Sequence, residues 1–184
     1  DVSKDTSEGG NGPQRWADPS TWGGDGDALP AVQAYNLARG ISYRPANGPA
    51  QWFYGLQGRT PARLPSAHWI AQIAKCRAPI TGEDGPEPTY RSAGEITVNS
   101  EIGAAFDAVL TTCAGRMSEN GGVFKIYVGP PDDPIATITD DDIVSLAPQT
   151  FTPFFGLSNT VNGVVGSYPS PSEGYVMRST PPVY

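Results

Sequence analysis

Histidine is almost missing from this 184-residue chain, with His68 the single example. A Ser-His-Asp or Cys-His nucleophile needs an imidazole base, so any such triad would have to recruit His68. It falls just inside a predicted helix beside Trp69, where a packed or surface histidine is the expected role. Metal sites of the His/Cys type fail on the same scarcity. Cysteine is equally thin: Cys76 and Cys113 are too few and too far apart for a disulfide framework or a CxxC site. Cys113 closes an apolar helical stripe and reads as a small buried hydrophobe, which suits synthesis in a reducing cytoplasm.

Charge is sparse as well, at 17% of residues, and tilted acidic: 19 Asp and Glu against 12 Lys and Arg give a net charge of -7. Phosphate backbones are bound by clustered basic residues, so specific nucleic-acid binding is not expected. The exception is Ile41–Gly82, which carries Arg44, Arg59, Arg63, Lys75 and Arg77 with no acid. That window is either the solvated face of a helix and its loops or a basic face that docks an acidic partner. No apolar run reaches the ~18 residues of a membrane span. No signal-peptide pattern follows Asp1, and the chain is expected to be a fragment of a longer protein.

Glycine and proline are plentiful instead, 22 and 19 residues, which points to many turns and short elements. Residues 1–13, DVSKDTSEGGNGP, offer almost nothing apolar to offset ordering entropy and are expected to form a linker or flexible loop. A turn-rich stretch then leads to a helix with Asp27 as cap, Pro30 in its first turn, Gly40 as its stop, and Leu29, Val32 and Tyr35 on one face. A second helix starts at Ser66, bracketed by Pro65 and Pro79, with Trp69, Ile70, Ile73 and Ala74 at helical spacing.

TYRSAGEITVN, residues 89–99, reads as a strand. Asn99 or Ser100 then caps a helix whose Ile102, Phe106, Val109, Leu110 and Cys113 share one face, and Gly115 stops it. RMSENGGVFKIYVG predicts a β-hairpin turning at Asn120-Gly121. Thr139 caps a short turn carrying Asp140, Asp141 and Asp142; a calcium loop is the sharper alternative, although liganding loops space their carboxylates alternately. From Thr150 onward, alternating apolar residues around PSPSEG predict two strands joined by a loop.

The glycine clusters Gly9–Gly12 and Gly23–Asp27 neither follow an apolar strand nor carry a P-loop lysine, so they read as flexible turns. Glu95, Glu101 and Asp107 are acids without a motif to pair them for glycoside hydrolysis. No nucleophile, base, metal or cofactor motif is present, and a non-catalytic role is expected. The run Trp52-Phe53-Tyr54 would suit a sugar-binding platform, but three consecutive rings point in different directions, so at least one is expected in the core. Trp52, Tyr54, Arg59 and Arg63 are the candidate partner-contact residues.

Four stretches, in order, resemble the tail hub proteins of long-tailed phages and gene transfer agents, the group that includes the tip attachment protein J of phage lambda. NGPAQWFYGLQGR is similar to that family's NPA…YDLL segment through Asn47, Pro49, Ala50, Tyr54, Gly55 and Leu56. AKC at 74–76 with DGPEPTY at 84–90 resembles its YCDE…DGxEPRY passage, although Arg77-Ala78 stand where relatives carry acids. RSAGEITVNSEIGAAFDAVLTTCAGRMSENGGVFKIYVG resembles its strand, helix and hairpin, and LSNTVNGVVGSYPSPSEGY its last strand pair. The likeness covers residues 45–184 and is loose before them.

The resemblance implies an α+β fold of small twisted antiparallel sheets or partial barrels with a few short helices. After the 1–13 linker, residues 14–184 would form the hub segment, with subdomains at about 14–87 and 88–184. It further implies a virion structural protein of the tail tip or baseplate hub, made in the bacterial cytoplasm. Such a hub forms a homotrimeric ring that contacts distal tail and tape-measure proteins and meets the host receptor through other domains, without cofactor or membrane span. A receptor- or carbohydrate-binding module of a phage tail is the alternative, and a cell-wall hydrolase domain a third reading.

Overall fold

The computed structural model describes the chain except residues 44, 46–47, 58–59, 83–84, 145–155 and 157–159, and the side chains of Pro61 and Pro171. It divides into two compact units, Asp1–Asp133 and Pro134–Tyr184. Among the described residues the regular elements are three α-helices and four two-stranded antiparallel sheets, with no closed barrel. The fold class is α+β.

The first unit is built around helix α1 (Pro30–Arg39). Leu29, Ala31, Val32, Ala34, Tyr35, Leu37 and Ala38 are all buried, so this helix is enclosed nearly all round rather than along one stripe. Helix α2 (Ser66–Arg77) and helix α3 (Ile102–Thr111) both pack against it. The expected apolar face of α3 is present: Phe106, Val109, Leu110 and Cys113 are buried and Ile102 packs at the margin. On α2 the buried row is Trp69, Gln72, Ile73 and Cys76, whereas Ala74 is exposed.

Polar side chains of α2 explain that row. Strand β5 (Arg116–Asn120) pairs with β6 (Val123–Tyr127), which leaves the outer edge of β6 with unpaired backbone groups. Three α2 side chains meet that edge: Trp69 Nε1 donates to Phe124 O (3.1 Å), His68 Nε2 donates to Ile126 O (2.7 Å), and Gln72 Oε1 accepts from Val128 N (2.9 Å). The helix therefore covers the sheet edge and satisfies it at once. His68 also lies edge-on to Tyr127, with ring centroids 5.2 Å apart.

Several expected boundaries shift for physical reasons. α1 is entered through a 3-10 turn at Asp25–Ala28, so its N-cap is Leu29, without a side-chain cap, and not Asp27. Gly40 does end it, at φ 90°. The β5–β6 turn is Gly121-Gly122, at φ 60° and 80°, one residue beyond the expected Asn120-Gly121, because both central positions of the turn need positive φ. Residues 89–99 form no strand; the strands there are the shorter β3 (Pro79–Gly82) and β4 (Gly85–Pro88), paired with each other. Strand propensity is realised only against a partner strand, and the start of this stretch is tied instead to the end of α2 and the approach to α1, through Thr89 N to Ala78 O (2.9 Å), Tyr90 N to Cys76 O (3.2 Å) and Ser92 N to Ala28 O (2.8 Å).

Residues 1–13, expected to be a linker or flexible loop, are folded onto the helices. A repeated device orders this region: Asp1 Oδ1 accepts from both N and Oγ of Ser3, Asp5 from Ser7, and Asp18 from Ser20, each opening a 3-10 turn. Arg77 at the end of α2 then donates to Asp1 Oδ2 (2.7 Å), Ser3 Oγ (3.0 Å) and Asp25 Oδ2 (2.9 Å). Polar caps and charge-assisted bonds supply what apolar burial cannot; Val2 is the only buried apolar side chain of the segment. The division falls at 133/134, where the resemblance implied a boundary near residue 87.

The second unit holds the expected turn and the last hairpin. Thr139 and Asp142 form a reciprocal capping box around Asp140–Asp142, so the Asp142 carboxylate is committed to Thr139 N (2.8 Å) and Oγ1 (3.0 Å). Strand β7 (Ser167–Ser170) pairs with β8 (Val176–Ser179) across the PSPSEG region, and Val164 bridges Val183 beyond them. The start of that expected strand pair lies outside the described residues. Among the described residues of this unit, Ser170 alone is buried.

Candidate functional site

Strand β1 (Ile41–Tyr43) pairs with β2 (Gln51–Tyr54), and a register shift leaves Phe53 as an extra residue on β2. Trp52 and Phe53 consequently face solvent at 48% and 51% exposure, while Tyr54 is buried at 7% and donates from its hydroxyl to Ser100 O (3.0 Å). Tyr54 is thus the core member that three consecutive aromatics require. Arg63 is exposed and donates weakly to Gly122 O (3.4 Å), and Arg59 lies outside the described residues.

Of the basic window, Arg44 also lies outside the described residues, and two of its described cations are ion-paired. Lys75 is paired with Asp132 (2.8 Å), and Arg77 with Asp1 and Asp25. Glu95, Glu101 and Asp107 are all exposed. Cys76 and Cys113 are both fully buried and meet thiol to thiol. The hydrogen bond to Cys76 and burial together push the Cys113 thiol well above its usual range. Among the described residues no three His, Cys, Asp or Glu side chains cluster as metal ligands.

The best-formed concavity lies between the N-terminal segment and α1, a cleft of about 170 Å³. Its wall is a series of rings running from solvent to core. Trp22 (46% exposed) lies 5.9 Å from Trp16 at 40°, Trp16 lies 6.4 Å edge-on to Tyr35, and Tyr35 lies 5.3 Å from Trp69. Trp22 is held by Nε1 donating to Arg15 O (2.8 Å), and the neighbouring Gly23 carbonyl by Gln14 Nε2 (2.7 Å).

Two arginines stiffen the cleft. Arg39 sits over the Trp16 ring, 5.0 Å from its centroid, and its Nη1 donates to Glu8 Oε1 (3.0 Å) and Tyr35 Oη (3.1 Å). Arg15 Nη1 donates to Asp5 Oδ1 (3.2 Å) and Gln14 O (2.7 Å), and its Nη2 to Thr6 Oγ1 (2.7 Å). Burial works to raise the Asp5 carboxyl, but the Ser7 hydrogen bonds and the Arg15 charge outweigh it and hold Asp5 below the usual range. Burial likewise raises the Tyr35 hydroxyl, which stays protonated.

Four polar side-chain groups of the lining have no hydrogen-bond partner among the described residues: the Asp27 carboxylate, the Asn36 amide, the Ser42 hydroxyl and Trp16 Nε1. Sequence reasoning placed Trp16 and Trp22 in a turn-rich approach to a helix and did not bring them together. The signal available was the pair of tryptophans flanking Asp18-Pro19-Ser20, a turn that doubles the chain back.

A second groove, of about 380 Å³, runs between α1, α3 and residues 92–96, and is lined mainly by apolar groups including Leu37, Ile41, Ile96 and Val109. No family model, curated protein or solved structure matches this chain.

Proposed function

We propose that this chain is a structural segment of a phage or phage-like tail-tip hub, part of a longer protein that assembles with itself and with other tail proteins into a ring. The observation that carries the reading is the order of four stretches between residues 45 and 184 that resemble tail hub proteins. The second unit agrees with a role completed by assembly. Ile135, Ile138, Val144, Val161, Tyr175 and Val183 are all more than two-fifths exposed, and no hydrophobic residue among its described residues is buried. A segment that buries so little apolar surface on its own gains order from a partner.

No catalytic step is assigned to the chain. The test is the oligomeric state of the full-length parent protein: negative-stain microscopy is expected to show three-fold rings. A parent that stays monomeric at micromolar concentration, without rings, overturns the proposal. The reading frame directly upstream is expected to encode a tape-measure protein.

A further inference from the structure

We propose that the Trp16–Trp22–Tyr35 cleft is a binding site for a neutral saccharide, with a sugar ring stacked on the exposed Trp22 indole and its hydroxyls bonded to Asp27 and Asn36. The inference is independent of the hub reading.

The cleft's own chemistry selects the ligand class. An organic cation is disfavoured, because Arg39 already occupies the Trp16 face and three of the four lining carboxylates are already paired with arginines: Asp1 with Arg77, Asp5 with Arg15 and Glu8 with Arg39. An anion is disfavoured too: the Arg15 and Arg39 charges are already paired with Asp5 and Glu8, and the open carboxylate is that of Asp27. What remains is a neutral molecule with one apolar face and several hydroxyls.

A sugar ring has that form. Its C–H face suits an indole, and adjacent hydroxyls suit a carboxylate and an amide, both among the unsatisfied groups of the lining. The volume, about 170 Å³, lies below the ~300–1,000 Å³ of drug-sized pockets and admits a single ring with the rest of a glycan outside. The walls are locked by the Trp22, Gln14, Arg15 and Arg39 hydrogen bonds before any ligand arrives, which reduces the ordering cost of binding.

The test uses the 184-residue chain with methyl glycosides of glucose, galactose and N-acetylglucosamine. Tetramethylammonium and inorganic phosphate serve as charged probes, all read by saturation-transfer NMR and tryptophan fluorescence. At least one glycoside is expected to bind in the millimolar range, with affinity falling at least about tenfold in Trp22→Ala and in Asp27→Ala. Trp52→Ala, whose side chain is not part of the cleft lining, should leave affinity within about twofold. Asp27 is exposed and gives its carboxylate no hydrogen bond to lose, so Asp27→Ala decides the matter even if Trp22→Ala does not fold. The proposal is overturned if no glycoside binds below about 10 mM, if only a charged probe binds, or if saccharide binding survives Asp27→Ala. Ring formation by the parent protein is untouched by any of these results.

Discussion

Trp69 shows how one residue joins two layers of the first unit. Its ring is fully buried against Tyr35 on α1, and its Nε1 satisfies the Phe124 carbonyl of β6. Trp69→Phe keeps most of the ring but loses the buried hydrogen bond, and urea denaturation should show a loss of about 1–3 kcal/mol. Trp52→Ala, on an exposed strand, should change stability by no more than about 0.5 kcal/mol. The two thiols give a second residue-level expectation. With Cys113 held protonated by Cys76 and both buried, neither should react with an aromatic disulfide reagent at pH 8 in the folded chain, and both should react promptly in guanidinium.

Turns decide the elements as much as periodicity does. Gly40 sits at φ 90°, and a Cβ there would run into Leu56 O, since Leu56 N is bonded back to Leu37 O (2.9 Å). Gly40→Ala should therefore cost more than about 1 kcal/mol, from backbone strain plus collision. Gly103, in the first turn of α3, faces open space, and Gly103→Ala should instead stabilise by up to about 1 kcal/mol. Thermal unfolding of the two variants should thus shift in opposite directions. Residues 93–98 present the converse case. Their β-branched residues face no strand, and Ile96 and Val98 remain 36% and 58% exposed, because propensity cannot create a missing neighbour.

At the scale of the whole molecule, the first unit is tied to its N-terminal segment by carboxylates, and this makes it acid-sensitive. Hydrogen bonds from Lys4 and Arg77 hold Asp25 below the usual carboxylate range, and Ser7 and Arg15 overcome burial to do the same for Asp5. A carboxyl whose folded pKa is depressed contributes fully above its unfolded pKa, ~3.9, and loses that contribution as pH falls through the folded value. The melting temperature should be flat near neutrality and fall below about pH 4. Asp5→Asn should shrink that acid-induced drop more than Asp25→Asn does, since Asp25 is nearly half exposed and solvent screens its pairs.

Much of this architecture was legible from residue order alone. The three helices, the Pro and Gly boundaries of α1 and α2, the apolar stripe of α3, the glycine-turned β5–β6 hairpin and the Thr139 capping turn all follow from local rules of period, φ and side-chain reach. Tertiary structure decided what depends on distant partners. It placed Gln72 rather than Ala74 on the buried face of α2, because Val128 N, just beyond β6, donates to its side-chain oxygen. It folded residues 1–13 through Asp-Ser caps and Arg77, which is 76 residues from Asp1. It also buried Tyr54 while leaving Trp52 exposed, and brought Trp16, Trp22, Tyr35, Asp27 and Asn36 into one cleft, because a cleft exists only where segments remote in the chain converge. Local sequence determines which elements form, since their hydrogen bonds close within a few residues; burial, charge pairing and concavity are properties of neighbours that only the folded chain supplies.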